Sequence, residues 1–263
     1  MSLAVEITVE DLAGLEIAAR AGADRIELAS DLDHGGITPG PALVEEAVSR
    51  SRALVGAHEA RAHFGVHALI RPTASTGDFL GRPEEFAADP RLVERMAREA
   101  AAVVEAGAAG VVIGVLTEDG ELDVPALTQI RDAALGAASR AMRGIDVTLH
   151  RAVDAMAGRE QRVEATRLAL TLGFARILTS GGAARALDGA EDLAAMVEAA
   201  EGVVEIMAGS GVRPVDIPDL ARRARVDAVH TSARSRAQDP QAPALTRTDA
   251  AIAQAAVDAA GAL

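Results

Sequence analysis

Residues 146–154 read Asp146-Val147-Thr148-Leu149-His150-Arg151-Ala152-Val153-Asp154, a short strand pattern that runs into charged side chains. Side chains alternate between the two faces of a strand, so Asp146, Thr148 and His150 share one face, and Val147 and Leu149 the other. The apolar face predicts a cover of helices. Polar groups at the carboxyl end of such a strand are typical of the active-site end of an α/β barrel. A cluster of ion pairs that only fixes a loop is the alternative.

Strand and helix patterns alternate along the chain, and Gly22, Gly107 and Gly173 stand where helices are expected to end. Beside residues 146–154, strands are predicted at 4–8, 25–29, 64–70, 110–116, 176–180, 203–208 and 227–232. Helices are predicted at 10–21, 39–51, 90–106, 124–138, 159–172, 187–200, 215–223 and 246–260. Such alternation predicts a parallel sheet with right-handed crossovers. Eight units in about 250 residues predict the α/β fold class and a (β/α)8 or TIM barrel.

The barrel is predicted to be a single domain over residues 1–263, in which residues 236–263 supply a C-terminal helix that closes the barrel. A doubly wound open sheet is the alternative architecture. It would require a G-x-G-x-x-G turn after the first strand, and the sequence has no such turn there.

The composition excludes several kinds of chemistry. A formal net charge of −13 argues against nucleic acid and anionic membranes as partners, because both need a basic surface. The sequence has no Cys, so it can form neither a disulfide nor a cysteine metal site, and it has no Lys for a Schiff base. It shows no secretory signal pattern and no apolar run of roughly 20 residues. A soluble, cytoplasmic protein is therefore expected.

Polar side chains on the inward-facing positions of several strands are expected to meet at the mouth of the barrel. Burying each of them alone would cost several kcal/mol, whereas one shared cavity satisfies them together. The main members of this set are Glu6, Glu27, His67, Arg71, Thr148, His150, Asp154 and His230.

Three interpretations of this set stay open. It could hold a divalent metal, for which the candidate ligands are Glu6, Glu27, His67 and His150. It could transfer protons, since His titrates near neutral pH and burial raises the pKa of Glu. It could also be a polar core with no function beyond its own hydrogen bonds.

Two glycine turns follow adjacent strands and provide a second signal. They contain Ser180 and Gly181 in one turn, and Gly209, Ser210 and Gly211 in the other. Exposed N–H groups in such turns bind phosphate or carboxylate groups, and Arg71 and Arg151 could grip the same anion. The alternative is that these loops use glycine only to turn tightly.

The sequence resembles the CutC copper homeostasis family over residues 4–235. The resemblance rests on Gly22-Ala23-Asp24-Arg25-Ile26-Glu27-Leu28, Gly35-Gly36-Ile37-Thr38-Pro39, His67-Ala68-Leu69-Ile70-Arg71-Pro72, Gly77-Asp78-Phe79, Val147-Thr148-Leu149-His150-Arg151-Ala152-Val153-Asp154, Ile177-Leu178-Thr179-Ser180-Gly181, Ile206-Met207-Ala208-Gly209-Ser210-Gly211-Val212 and Val229-His230-Thr231-Ser232-Ala233. It implies a (β/α)8 barrel with a role in copper homeostasis or copper binding. In some members a Cu(I) role is tied to cysteines, which this chain lacks. Only Met156 and Met207 are sulfur candidates near the predicted mouth.

The resemblance and the residues together predict either copper homeostasis with copper binding, or an enzyme. The enzyme would be an isomerase, lyase or hydrolase that acts on a small anionic substrate, phosphorylated or carboxylated, by acid–base catalysis. Its predicted catalytic residues are Glu27, His150, Asp154 and His230. Its predicted substrate-binding residues are Arg71, Asp78, Arg151, Ser180, Gly181, Gly209, Ser210 and Gly211.

The cofactor stays unassigned, with a divalent metal or copper as the candidates. A non-catalytic metal-binding or interaction protein is the third alternative. A homodimer is an arrangement that such a barrel allows.

Overall fold

Eight parallel strands close into a barrel in the computed structural model, which describes residues 3–74, 80–236 and 245–263. Each strand pairs with its neighbour in sequence, and β8 pairs with β1 to close the sheet. This confirms the predicted (β/α)8 TIM barrel. The strands are β1 Ala4–Val9, β2 Arg25–Leu28, β3 Gly65–Leu69, β4 Gly110–Ile113, β5 Asp146–Leu149, β6 Arg176–Thr179, β7 Glu205–Ala208 and β8 Ala228–Thr231.

Helices follow the strands and cover the outside of the barrel. Asp11, Asp89, Asp123 and Asp249 precede four of them, and each side chain accepts a backbone N–H of the first turn. Such a cap stabilises a helix by about 1 kcal/mol. The helices are α1 Leu12–Ala21, α2 Pro41–Gly56, α3 Pro90–Glu105, α4 Val124–Arg140, α5 Arg159–Thr171, α6 Ala190–Ala199, α7 Ile217–Arg223 and α8 Ala250–Gly261.

The C-terminal part of the chain differs from the prediction. A helix was expected from about residue 246, but Leu245–Thr248 is strand β10, which pairs antiparallel with β9, Arg234–Arg236. The two threonines of this segment favour a strand, and the Asp249 cap then starts α8 at Ala250. Helix α8 packs against α1, α7 and β1, so it covers the junction where the barrel closes.

The two faces of the barrel strands have different chemistry. Outward side chains such as Ile7, Ile26, Leu149 and Ile177 are fully buried under the helices and form the main apolar core. Many inward positions carry charge instead, and the register sets Glu6 beside both Arg25 and His230. The inside of the barrel therefore supplies the polar groups from which a site can be built. Within the described ranges, no helix is long and apolar enough to cross a membrane.

Candidate functional site

A cavity of about 300 Å³ opens at the carboxyl end of the barrel. Strands β2 and β8 and the residue after β5 supply three titratable side chains to its wall, Glu27, His230 and His150. A short 3-10 turn after β2, Leu32–His34, forms another part of the wall. The lining residues are Thr8, Glu27, Leu32, Asp33, Gly35, Leu69, Arg71, Phe86, His150, Arg151, Leu178 and His230. The structure thus brings Glu27, Arg71, His150, Arg151 and His230 into one cavity.

Glu6, His230 and Glu27 form a buried hydrogen-bonded and ionic series across β1, β8 and β2, here called the acid–base triad. His230 Nδ1 lies 2.8 Å from Glu6 Oε1, and His230 Nε2 lies 3.8 Å from Glu27 Oε2. Glu6 also accepts a hydrogen bond from Arg25 Nε at 2.9 Å. Glu6 therefore lies at the base of the triad and orients His230, while Glu27 lies at the cavity wall.

The environment of the triad shifts all three pKa values. Burial raises the pKa of Glu27, although the charge of His230 partly offsets this effect. Burial alone would lower the pKa of His230, but the hydrogen bond with Glu6 and the charge of Glu27 raise it overall. Burial opposes ionisation of Glu6, yet His230 and Arg25 hold its pKa well below the usual range. Glu6 therefore stays ionised, and Glu27 binds a proton more readily than an ordinary glutamate does.

The hydroxyl of Thr8 lies beside Glu27 on the cavity wall. It favours the ionised form of the Glu27 carboxyl, but the contact lacks the geometry of a full hydrogen bond. Among the described residues this buried hydroxyl has no other hydrogen-bond partner. A polar group of this kind is available to a bound molecule.

His150 is held in one orientation and one protonation state. Its ring lies over Gly114, where an added Cβ would come within 2.3 Å of His150 Cε1 and Nδ1. Its Nδ1 accepts the Ala152 N–H at 3.1 Å, so the neutral ring carries its proton on Nε2. Burial, followed by the charge of Arg71, lowers the pKa of His150 to about 3. At neutral pH His150 is therefore a hydrogen-bond donor from Nε2 and does not serve as a base.

Asp154 lies behind the cavity wall and binds the turn after β6. Its Oδ1 accepts hydrogen bonds from Thr179 Oγ1 at 2.6 Å, Ser180 N at 3.0 Å and Gly182 N at 3.1 Å. Its Oδ2 accepts Arg151 Nε at 2.8 Å. With both oxygens engaged, Asp154 positions Arg151 and the turn. It is not among the residues that line the cavity, so the catalytic role predicted for it gains no support from its position.

A layer of charged residues lies below the cavity, toward the amino-terminal end of the strands. Arg176 binds Asp146 at 2.9 Å and Glu205 at 3.2 Å, and its Nη1 lies 3.3 Å from His67 Nδ1. Arg25 also pairs with Glu205. His67 therefore belongs to this layer and not to the cavity wall.

The four candidate metal ligands are divided between these two levels. Glu27 and His150 line the cavity, whereas Glu6 and His67 lie beneath it. Within residues 3–74, 80–236 and 245–263, no group of three or more His, Cys, Asp or Glu side chains could hold a metal ion.

The sulfur candidates fit a copper site no better. Met207 Sδ lies 3.4 Å from the cationic Arg25 Nη2, and Met156 lines a separate surface depression beside α5. Cu(I) prefers soft sulfur ligands. The described residues therefore do not fit a Cu(I) site.

The state of His67 predicts part of the acid sensitivity of the fold. Burial, followed by the charge of Arg176, lowers the pKa of His67 to about 4. Between pH 6.5 and 4 the unfolded chain binds a proton that folded His67 does not, so stability is lost as the pH falls through this window. In His67→Asn the amide oxygen can still accept from Arg176. Across this pH window, the free energy of unfolding measured with urea should fall by on the order of 3 kcal/mol less in this variant than in the wild type. The exposed His58→Asn variant is the control, and an unchanged pH profile in His67→Asn would contradict the prediction.

The remaining predicted residues lie outside the cavity wall or outside the described chain. Ser180, Gly181, Gly209, Ser210 and Gly211 form the turns after β6 and β7 and are not among the lining residues. Asp78 lies outside the described residues.

Sequence reasoning missed several residues of the site. Thr8 and Leu178 share the inward parity of Glu6 and Arg176, so a complete listing of inward positions would have included them. Asp33 and Phe86 lie in short 3-10 turns outside the strands, for which strand parity gives no signal.

Comparison with known proteins gives a consistent result. A sequence model described as the CutC family matches residues 3–235. A protein named CutC from Agrobacterium fabrum is 39% identical over 228 residues, which covers 87% of this chain and 78% of the relative. A protein named CutC from Rhizobium meliloti is 38% identical over 258 residues, which covers 95% of this chain and 92% of the relative.

A solved structure is also similar. The crystal structure of CutC from Streptococcus agalactiae, whose name refers to copper homeostasis, is 25% identical to this chain with a TM-score of 0.72. The match covers 88% of this chain and 99% of that one.

Proposed function

The chain belongs to the CutC family, and from that premise we propose that its cavity is the active site of a proton-transfer enzyme. The substrate class is a small anionic carbonyl compound, and the reaction is an isomerisation or elimination that begins with removal of a proton beside the carbonyl group. A cavity of about 300 Å³ suits a small metabolite.

One observation carries the proposal: two titratable groups in the same cavity have pKa values shifted in opposite directions. Burial raises the pKa of Glu27, and burial together with Arg71 lowers that of His150 to about 3. A carboxyl with increased proton affinity suits a general base, because proton transfer is efficient when the pKa lies nearer the working pH. A neutral imidazole that donates from Nε2 suits stabilisation of the negative charge that develops on a carbonyl oxygen.

The roles of the other residues follow from their contacts. Its hydrogen bond with Glu6 helps to raise the pKa of His230, and the charged form of His230, 3.8 Å from Glu27, favours the ionised form of that carboxyl. Arg71 and Arg151 line the cavity and bring positive charge to the anionic group of the substrate. Leu32, Leu69 and Leu178 limit access of water to the reacting atoms.

The name of the family refers to copper homeostasis, and we propose that any contribution of this chain to it is indirect. The absence of cysteine and the poor fit of the described donors to Cu(I) support this part of the proposal. The protein would then act on a small molecule and would not carry the metal itself.

A titration with Cu(I) in the presence of a competing chelator tests this second point. The expected result is no binding tighter than that of a peptide with isolated methionines, because no thiolate is available. Binding that withstands the chelator and is lost in a Met207→Leu variant would instead support a copper site inside the barrel.

Exchange of substrate protons with solvent tests the enzymatic proposal before the full reaction is known. A panel of small oxo acids and sugar phosphates is incubated with the protein in deuterium oxide, and NMR follows entry of deuterium beside each carbonyl group. At least one compound should exchange faster with the protein than without it, and the His150→Leu variant should lose this acceleration because it has no donor. The proposal fails if compounds shift the His150 and His230 signals, and so bind in the cavity, without any of them exchanging.

A further inference from the structure

Two features of the barrel mouth could hold the charged group of a substrate: the glycine turns after β6 and β7, and the arginines of the cavity. In the turn after β6, the N–H groups of Ser180 and Gly182 both donate to Asp154, at 3.0 and 3.1 Å. Asp154 is buried and comes from the chain itself. This turn therefore does cradle an anion, but the position is already filled by a carboxylate of the protein.

The turn after β7 is also engaged by the protein. The N–H of Gly209 donates to Thr179 O at 2.9 Å, and the hydroxyl of Ser210 donates to Ala184 O at 2.8 Å. Arg185 packs against Gly211, and its Nη2 pairs with Asp216 at 2.9 Å. Arg213 pairs with the same carboxylate at 2.8 Å, so both arginines already bind an anion of the chain. The N–H groups of the first turn and the arginines beside the second are thus already engaged within the chain, and neither turn lines the cavity.

Among the described residues of the cavity wall, Arg71 is a cation for which no carboxylate partner is found. Arg71 is buried, its Nη1 donates to Gly35 O at 3.2 Å, and its guanidinium carbon lies 5.1 Å from the centre of the Phe86 ring. Among the described residues, no carboxylate lies within 4 Å of this guanidinium, although Glu85 is near enough to raise its pKa against the effect of burial. A buried charge held by one carbonyl and one aromatic face gains most from an anion that arrives with the ligand.

Each of the other charged groups of the cavity wall has a partner of opposite charge among the described residues. Arg151 pairs with Asp154 at 2.8 Å, and Asp33 lies 3.5 Å from Arg234, which also pairs with Glu10. His230 lies between Glu6 and Glu27. One negative charge on the ligand would thus compensate Arg71, whereas a second would lie uncompensated in a cavity whose wall already contains Glu27 and Asp33.

We propose that the cavity selects a small monocarboxylate, an oxo acid, whose planar carboxylate binds Arg71 through two parallel hydrogen bonds, in preference to a phosphate ester. A guanidinium fork matches a carboxylate in shape and charge. The inference rests on the proposed function, because it assigns the charged group of the substrate on which Glu27 acts.

Matched pairs of probes test this selectivity directly. Pyruvate and 2-oxobutanoate are compared with acetylphosphonate and propionylphosphonate, which replace the carboxylate by a phosphonate that is largely dianionic at pH 8 or above. Binding is followed by the NMR signals of His150 and His230 in protein with isotope-labelled histidines. We expect at least one carboxylate to bind with a Kd about tenfold or more below that of its phosphonate partner. Arg71→Lys, which lacks the planar fork, should weaken carboxylate binding by about tenfold or more, whereas the exposed Arg91→Lys should not change it.

Any of the following results would overturn the inference: a phosphonate that binds as tightly as its carboxylate partner, an Arg71→Lys variant with unchanged carboxylate affinity, or no saturable carboxylate binding at millimolar concentrations. Asp78 lies outside the described residues, and an Asp78→Asn variant tests whether its carboxylate pairs with Arg71. Carboxylate binding that tightens about tenfold in this variant would indicate that the chain supplies its own anion to Arg71, and would also overturn the inference.

Failure of the inference is distinguishable from failure of the proposed function. If phosphonates or sugar phosphates bind better and their carbonyl compounds still exchange protons, only the assigned charged group is wrong. If carboxylates bind at Arg71 without proton exchange, the binding inference stands and the enzymatic proposal fails.

Discussion

Replacing Glu27 by Gln is expected to lower the rate of solvent exchange into a bound oxo acid by about 100- to 10,000-fold, the usual contribution of a positioned general base. Gln preserves the shape of the side chain but cannot accept the proton. Because burial raises the pKa of Glu27, exchange by the wild type should rise with pH through an apparent pKa above the ordinary glutamate value of about 4.3. NMR rates measured across the pH range give both results.

His230 provides a second check on the same assignment. Its charge lowers the pKa of Glu27, so His230→Gln should move the acid side of the pH–rate profile to higher pH. Glu45→Gln on the exposed face of α2 is the matched control and should leave the profile unchanged. The assignment of Glu27 as the base is wrong if Glu27→Gln retains more than about a tenth of the wild-type rate.

Replacing Asp154 by Asn is expected to destabilise the protein by roughly 3–5 kcal/mol, the range found when one partner of a buried ion pair is removed. The carboxylate accepts four different donors, from Arg151, Thr179, Ser180 and Gly182. An Asn side chain would turn an NH₂ group toward at least one of these donors and remove the negative charge that Arg151 Nε binds. Urea unfolding measures the change as a lower midpoint with a similar slope.

Asp119→Asn serves as the control for this variant, because Asp119 lies in an exposed turn, and its unfolding midpoint should match that of the wild type. If the free energy of unfolding of Asp154→Asn fell by less than about 1 kcal/mol, water would be replacing the carboxylate at little cost, as at an exposed site. The role of Asp154 in positioning the β6 turn would then be untenable.

The sequence was sufficient for the barrel and for the main side chains of its cavity. Strand parity selected Glu27, Arg71, His150 and His230, and all four line the same cavity in the structure. The reason is that a closed parallel sheet directs inward positions of every strand toward the same axis. Parity does not give depth along that axis, so Glu6 and His67 were grouped with residues that lie above them.

Other features depend on contacts that no local pattern reveals. Asp154 follows β5 at a position typical of a catalytic group, but its carboxylate accepts hydrogen bonds from Thr179 and from the turn after β6. The neutral state of His150 depends on its burial and on Arg71, which comes from the loop after β3. The ring also needs the space above Gly114, which directly follows the neighbouring strand β4. Each case requires knowledge of which distant segments are adjacent, which hydrophobic period alone does not supply.

The pairing of Glu6 with His230 joins positions 224 residues apart at the junction of β1 and β8. During synthesis the carboxylate therefore leaves the ribosome long before its imidazole partner, and seven of the eight barrel strands are translated before β8 is complete. Until β8 arrives, closing the sheet would bury Glu6 against Arg25 without its second partner. Nascent chains stalled before residue 228 are therefore expected to remain sensitive to protease, and the step that completes the fold is also the one that assembles the acid–base chemistry.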